Sequence, residues 1–184
     1  ANGYETENTI NYPVPTTFEG TTRPEYLATT DYVFANYANT ATTIADVRSK
    51  DEYDGLTSGY NYLIAKGRIP NSIWASDADD SSPVYNDSDG TLRSYTEIRD
   101  YWKSIGITSK SAPNLFDKEV IFQCGGGYRS ALTFLYAYMM GYDNIRNYSD
   151  GWAGWSTTYT QDPSCNDGAP GWCQSPSGRP IIAP

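Results

Sequence analysis

The chain is predicted to fold as an α/β domain, a doubly wound, mostly parallel sheet with helices on both faces. Three observations predict this. Short apolar runs at Thr43-Ile44-Ala45, Ile73-Trp74, Val120-Ile121-Phe122 and Asn144-Ile145-Arg146-Asn147-Tyr148 read as buried strands. Helical patterns with start and stop signals fall between and after them, and strands alternating with helices build parallel sheets. Finally, 184 residues with 39% hydrophobic content suffice for one core but hardly two.

Taken in order, residues 1–22 are rich in Thr, Asn, Pro and Gly without apolar period, and are expected to form an extended N-terminal arm. The domain proper is expected over 23–157. Tyr26-Leu27-Ala28 precedes a helix from Asp31 to Asn36, capped by Thr29 or Thr30. The strand through Ile44 ends at Asp46, which places Asp46-Val47-Arg48 at a carboxyl edge, where ligands bind in open α/β sheets. A buried Asp46–Arg48 scaffold pair is the alternative reading. Asp51 to Tyr62 has polar turn character. Lys66-Gly67-Arg68-Ile69-Pro70 then brings two cations to the start of the strand at Ile73.

An acidic insertion follows over 76–90, with Asp77, Asp79, Asp80, Asp87 and Asp89. It lacks the closing Glu of a calcium-binding EF-hand loop and reads as acidic surface. Ser94-Tyr95-Thr96-Glu97 has capping-box spacing and opens an amphipathic helix through Ile98, Trp102 and Ile105, stopped by Gly106. The strand Glu119 to Gln123 delivers Cys124, and a helix follows with Leu132, Leu135, Tyr136 and Met139 at core-facing intervals until Gly141. After the last strand, Gly151-Trp152-Ala153-Gly154-Trp155 turns into a short terminal helix, with Trp152 and Trp155 read as core. The remaining 158–184 is a Gly/Pro-rich tail in which a disulfide between Cys165 and Cys173 is expected to close a local loop.

Composition narrows the function. The formal net charge of −9 excludes nucleic acid and anionic membrane surfaces as partners, because both require a basic footprint. No apolar run is long enough to span a bilayer. A first residue of Ala rather than Met, few lysines and the Cys165/Cys173 spacing together suggest a processed, exported protein, periplasmic or extracellular. With no histidine in the chain, Cys-His and Ser-His nucleophile pairs are ruled out.

The chemistry centres on Cys124-Gly125-Gly126-Gly127-Tyr128-Arg129. A thiol placed where a strand turns into a helix meets converging backbone N–H groups and the positive end of the helix dipole, which suits a thiolate or a bound anion. Glycines allow the backbone to curl there. The reading is nucleophilic attack by Cys124 sulfur on an anionic substrate, with Gly125, Gly126, Gly127, Tyr128 and Arg129 lining the cradle. Arg129 either binds the anion or braces the loop. Arg48 and Arg68 are further substrate-binding candidates, with Lys66 beside them, and Ser130 serves the helix start.

These segments resemble the rhodanese-type sulfurtransferases. The resemblance covers about Tyr26 to Ser156 and rests on four ordered motifs: Asp46-Val47-Arg48 with Glu52-Tyr53, Gly67-Arg68-Ile69-Pro70 with Ser72-Ile73, the loop Cys124 to Ser130, and Tyr148-Ser149-Asp150-Gly151-Trp152. Together with Thr57-Ser58-Gly59-Tyr60, they look most similar to the catalytic domain of exported, tandem-domain thiosulfate sulfurtransferases. The resemblance implies that Cys124 takes the outer sulfur of thiosulfate or polysulfide as a persulfide and passes it to a nucleophilic acceptor, a thiol or cyanide. It implies no cofactor and no metal. Mercaptopyruvate is a poorer fit, since members that prefer it usually carry a hydroxyl where Gly126 stands. Rhodanese-like phosphatases and arsenate reductases use a loop one residue longer. A persulfide carrier or interaction subunit that does not turn over is the other function class.

Overall fold

The computed structural model describes all residues except 1–8, 11, 18, 77–84, 109–116 and 168–169. Five parallel strands form the central sheet: β1 (Leu27–Ala28), β2 (Thr42–Asp46), β3 (Ile73–Trp74), β4 (Glu119–Gln123) and β5 (Ile145–Tyr148). Their spatial order is β1-β5-β4-β2-β3, so β4 lies at the centre. Both of its neighbours pair with it along its length, Thr42 to Asp46 on one side and Ile145 to Tyr148 on the other.

Strand alternation then sorts the core into two layers, because successive side chains point to opposite faces. Val120, Phe122 and Cys124 share one layer with Trp102, Tyr85 and Tyr136. Ile121 faces the other, with Val33, Tyr148, Trp152 and Trp155. Helices α3 (Tyr95–Ser104) and α4 (Tyr128–Met139) contribute to the first layer; α1 (Thr30–Asn36) and α5 (Gly151–Ser156) contribute to the second. The doubly wound prediction is met. So are the caps: Thr29 accepts from the Tyr32 N–H, and Ser94 and Glu97 form a reciprocal capping box.

Three regions differ from the sequence reading. The stretch read as a polar turn contains a further helix, α2 (Lys50–Asp54), opened by a Ser49/Glu52 capping box and closed by Gly55 at φ 81°. Gly55 adopts this left-handed backbone without strain. In α4, Leu135 and Met139 are exposed, and the buried stripe runs through Ser130, Thr133, Tyr136 and Ala137. Ser130 is buried beneath the Cys124 loop, where its hydroxyl donates to the Gly127 carbonyl, and this fixes the phase of the helix.

The tail, third, is structured. Strands β6 (Thr157–Gln161) and β7 (Trp172–Pro176) form an antiparallel hairpin, closed by the Cys165–Cys173 disulfide. Beyond it, Ile182 exchanges two backbone hydrogen bonds with Arg68, and Pro180 accepts from the Trp155 indole. At the other end, the described part of the N-terminal arm is exposed and forms no helix or strand. Asp77, Asp79 and Asp80 of the acidic insertion lie outside the described residues. Tyr85 lies in the core, and its hydroxyl donates to the Ala75 carbonyl and accepts from the Trp102 indole.

Candidate active site

Cys124 follows the last residue of β4, and Tyr128 opens α4, so the intervening loop sits at the carboxyl edge of the central strand. The thiol is free and buried, with 1% of the residue exposed. Hydrogen bonds to its carbonyl groups hold the loop. The Trp152 and Ala153 N–H groups, from the start of α5, donate to the carbonyls of Cys124 and Gly125 at 2.8 and 3.0 Å. Ser130 Oγ donates to the Gly127 carbonyl at 3.1 Å, and the Val47 N–H ties the preceding Gln123 carbonyl to the end of β2 at 2.9 Å.

Because all the loop's anchors grip carbonyl groups, its amides are left over. The backbone N–H groups of Gly126, Gly127 and Tyr128 have no acceptor among the described residues. Unpaired N–H groups at a strand-to-helix turn form a cradle for negative charge. The three glycines are not equivalent within it. A Cβ on Gly125 would lie 2.0 Å from the Tyr60 ring, and one on Gly127, at φ 87°, would lie 2.5 Å from the Ser149 carbonyl; Gly126 faces open space.

Arg129 takes the bracing role. Its Nη1 and Nη2 donate to the two carboxylate oxygens of Glu52, each at 2.8 Å, and Nη2 also donates to the Tyr60 hydroxyl at 3.1 Å. Burial pushes the Glu52 carboxyl up, but the Arg129 guanidinium outweighs it and holds the group below the ordinary carboxylate range. Burial likewise opposes the Arg129 charge, and Glu52 overcomes it, so Arg129 stays cationic. Tyr60 is held neutral: burial raises its hydroxyl above the ordinary tyrosine value, Arg129 opposes, and negative charge on Cys124 adds to the rise. One lone pair of that hydroxyl is engaged by Arg129, and its own proton has no acceptor among the described residues.

The remaining predicted cations lie in the scaffold. Arg48 is fully buried and bidentate to Asp46, with Nη2 also donating to the Gly67 carbonyl at 2.9 Å and the guanidinium stacked on Trp152 at 4.7 Å. It cannot reach a substrate in this position; it supports the tryptophan whose N–H holds the Cys124 carbonyl. Arg68 stacks on Tyr53 at 4.7 Å and donates to the Tyr53 carbonyl. Lys66 reaches the Leu56 carbonyl. Tyr128 is 92% exposed at the loop's rim. Trp152 and Trp155 are core.

Glu52 and Tyr60 were not among the predicted site residues. The Ser49-x-x-Glu52 capping box was a usable signal for α2, though not for the reach of Glu52 to Arg129, 77 residues away.

The match to known proteins agrees with this geometry. Residues 29–158 match the rhodanese-like domain. The chain belongs to the rhodanese family. It is 36% identical over 117 residues to the thiosulfate sulfurtransferase YnjE of Escherichia coli, covering 62% of this chain and 25% of that protein. With the thiosulfate sulfurtransferase of Azotobacter vinelandii it shares 31% identity over 135 residues, covering 71% and 43%. Among solved structures it resembles EanB, captured as a cysteine persulfide in a tetrahedral intermediate state with ergothioneine: TM-score 0.64, 35% identity, 77% of this chain and 34% of that one. This rhodanese domain thus spans between a quarter and under half the length of these relatives. No helix among the described residues is long and apolar enough to cross a membrane.

Proposed function

We propose that this rhodanese domain is a sulfurtransferase that moves a sulfane sulfur from thiosulfate or polysulfide to a thiol or cyanide through a Cys124 persulfide. The observation that carries the reading is the free Cys124 thiol inside a loop whose Gly126, Gly127 and Tyr128 N–H groups have no acceptor among the described residues. In the first half-reaction the Cys124 thiolate attacks the outer sulfur of thiosulfate. A new S–S bond forms, the old one breaks, and sulfite departs with the bonding electron pair. In the second, an acceptor nucleophile attacks the outer persulfide sulfur and Cys124 leaves as thiolate. Neither leaving group requires a proton, which suits a site without histidine.

In this scheme the loop amides bind the charge on sulfur, and the Tyr60 hydroxyl adds one neutral donor. Arg129 acts through Glu52 and Tyr60, keeping both in place. Since Arg129, Arg48 and Arg68 are all engaged elsewhere, thiosulfate affinity rests on backbone groups. A high KM for thiosulfate follows from that. We also read the Cys165–Cys173 disulfide as fitting an exported protein.

Intact mass before and after brief exposure to thiosulfate or polysulfide tests the function. The expected result is a gain of one sulfur atom, reversed by cyanide and absent in Cys124→Ser. No gain with either donor would sink the enzyme reading. Stoichiometric loading without turnover would instead identify a carrier.

A further inference from the structure

We propose that Gln174, on the disulfide-closed β6–β7 hairpin, is a positioning residue that holds the Tyr60 strap over Cys124. The proposal takes Cys124 as the reactive thiol, as the functional reading does, and concerns what governs access to it.

Cys124 is nearly inaccessible, so whatever covers the loop sets its reactivity. Tyr60 is part of that cover, packed so closely on Gly125 that no Cβ fits between them. The segment carrying it, from Leu56 to Leu63, has no helix or strand of its own. Its internal ties are all short-range: Ser58 Oγ donates to the Tyr60 carbonyl at 2.8 Å and accepts from the Tyr60 N–H at 3.4 Å, the Gly59 N–H reaches Thr57 Oγ1 at 3.1 Å, and the Leu63 N–H reaches the Tyr60 carbonyl at 3.3 Å. A strap built this way opens locally at low cost unless something outside it holds it down.

Arg129 holds it at the Tyr60 hydroxyl, and the hairpin supplies a second hold. The side-chain amide nitrogen of Gln174 donates to the Tyr62 carbonyl, and the Tyr62 ring packs on Tyr60 at a centroid distance of 5.1 Å. The second hydrogen of the same nitrogen goes to the Asp167 carbonyl at 2.8 Å. Asp167 is fixed in turn: its carboxylate accepts from the Gln174 N–H at 3.2 Å, and its own N–H donates to the Trp172 carbonyl at 3.1 Å. The turn that contains Asp167 is closed by Cys165–Cys173, with Cys173 adjacent to Gln174. A continuous path of covalent, hydrogen-bonded and ring contacts therefore runs from the disulfide through Gln174, Tyr62 and Tyr60 to the Cys124 loop.

The rate of Cys124 alkylation by iodoacetamide, followed by peptide mass spectrometry well below the melting temperature, tests this without any turnover. Gln174→Ala, which keeps the disulfide, is expected to alkylate about fivefold faster than wild type, the effect of losing one hydrogen bond on a local opening equilibrium. Gln174→Glu, similar in size but without the donors, should behave the same way and guards against a packing defect. The Cys165→Ser/Cys173→Ser variant should also accelerate. Adding Gln174→Ala to it should bring little more, because the two changes act on one path, whereas independent destabilisation would add. Wild-type alkylation rates in Gln174→Ala and Gln174→Glu would overturn the proposal, as would full additivity. Absence of sulfur loading in the wild type would defeat the sulfurtransferase reading and leave this result standing.

Discussion

Two arginine–carboxylate pairs flank the carboxyl edge of the sheet, and they are built for different work. Asp46–Arg48 is wholly buried, formed between residues two apart, and closed further by the Gly67 carbonyl and the Trp152 ring. Glu52–Arg129 joins residues 77 apart, one on α2 and one at the start of α4, and keeps its arginine partly open, with 16% of the side chain exposed. The first pair locks a strand end; the second ties the nucleophile loop to the segment that covers it. Similar chemistry therefore serves stability in one place and alignment in the other, decided by what each arginine reaches after its carboxylate.

The largest break in that contrast should come from Asp46→Asn. It leaves Arg48 charged, buried and short of its partner, and is expected to cost about 3–5 kcal/mol of unfolding free energy in a denaturant titration. Activity per folded molecule should largely survive at temperatures where the protein stays folded. Glu52→Gln should cost less, about 2–3 kcal/mol, because solvent reaches Arg129, but its loss of turnover should exceed any loss explained by unfolding. Acid sharpens the same point. Since the folded Glu52 carboxyl titrates below its ordinary value, its contribution is fully present above that ordinary value, near 4.5, and fades as pH falls through the lowered folded value. Wild-type stability should therefore drop across this acid window, and Glu52→Gln should drop less.

How much of this was readable in the sequence depends on the range of the contact. Local signals worked: the Ser94/Glu97 box, the Thr29 cap and the strand leading to Cys124 all depend on residues within a few positions. For the same reason a scaffold role for the Asp46–Arg48 pair was one of the two readings open, beside substrate binding by Arg48. Partnerships across the fold were not legible. Nothing local marks Glu52 as the partner of Arg129, or tells which of Arg48, Arg68 and Arg129 faces the thiol. Helix phase failed likewise in α4, where apolar periodicity pointed to Leu135 and Met139 but the demand for a buried Ser130 won. In the tail the Cys165–Cys173 closure was expected from local spacing, whereas no strand was assigned, because β6 and β7 are largely exposed and carry little apolar signal.

The two site glycines offer a cleaner test than either ion pair, since the substitutions differ only in what a methyl group meets. Gly125→Ala should displace Tyr60 and reduce kcat/KM for sulfur transfer at least tenfold. Gly126→Ala, whose methyl meets nothing within 4 Å, should remain within about twofold of wild type. Equal effects at both positions would show that Tyr60 does not lie over the loop during turnover.

Tyr60→Phe should give the smallest change in stability and the most selective one in function. The ring, its contact with Tyr62 and the Glu52–Arg129 pair all remain, so the cost is about 1 kcal/mol for one partly exposed hydrogen bond. Turnover should nevertheless fall about tenfold, because the lost hydroxyl is the neutral donor proposed to meet the charge on sulfur. The loss should appear in kcat rather than KM if that donor serves the transition state more than the bound substrate. Steady-state kinetics with thiosulfate and cyanide separate the two. An unchanged kcat would reduce Tyr60 to a cover for the loop, and would place the whole stabilisation of sulfur charge on the backbone amides from Gly126 to Tyr128.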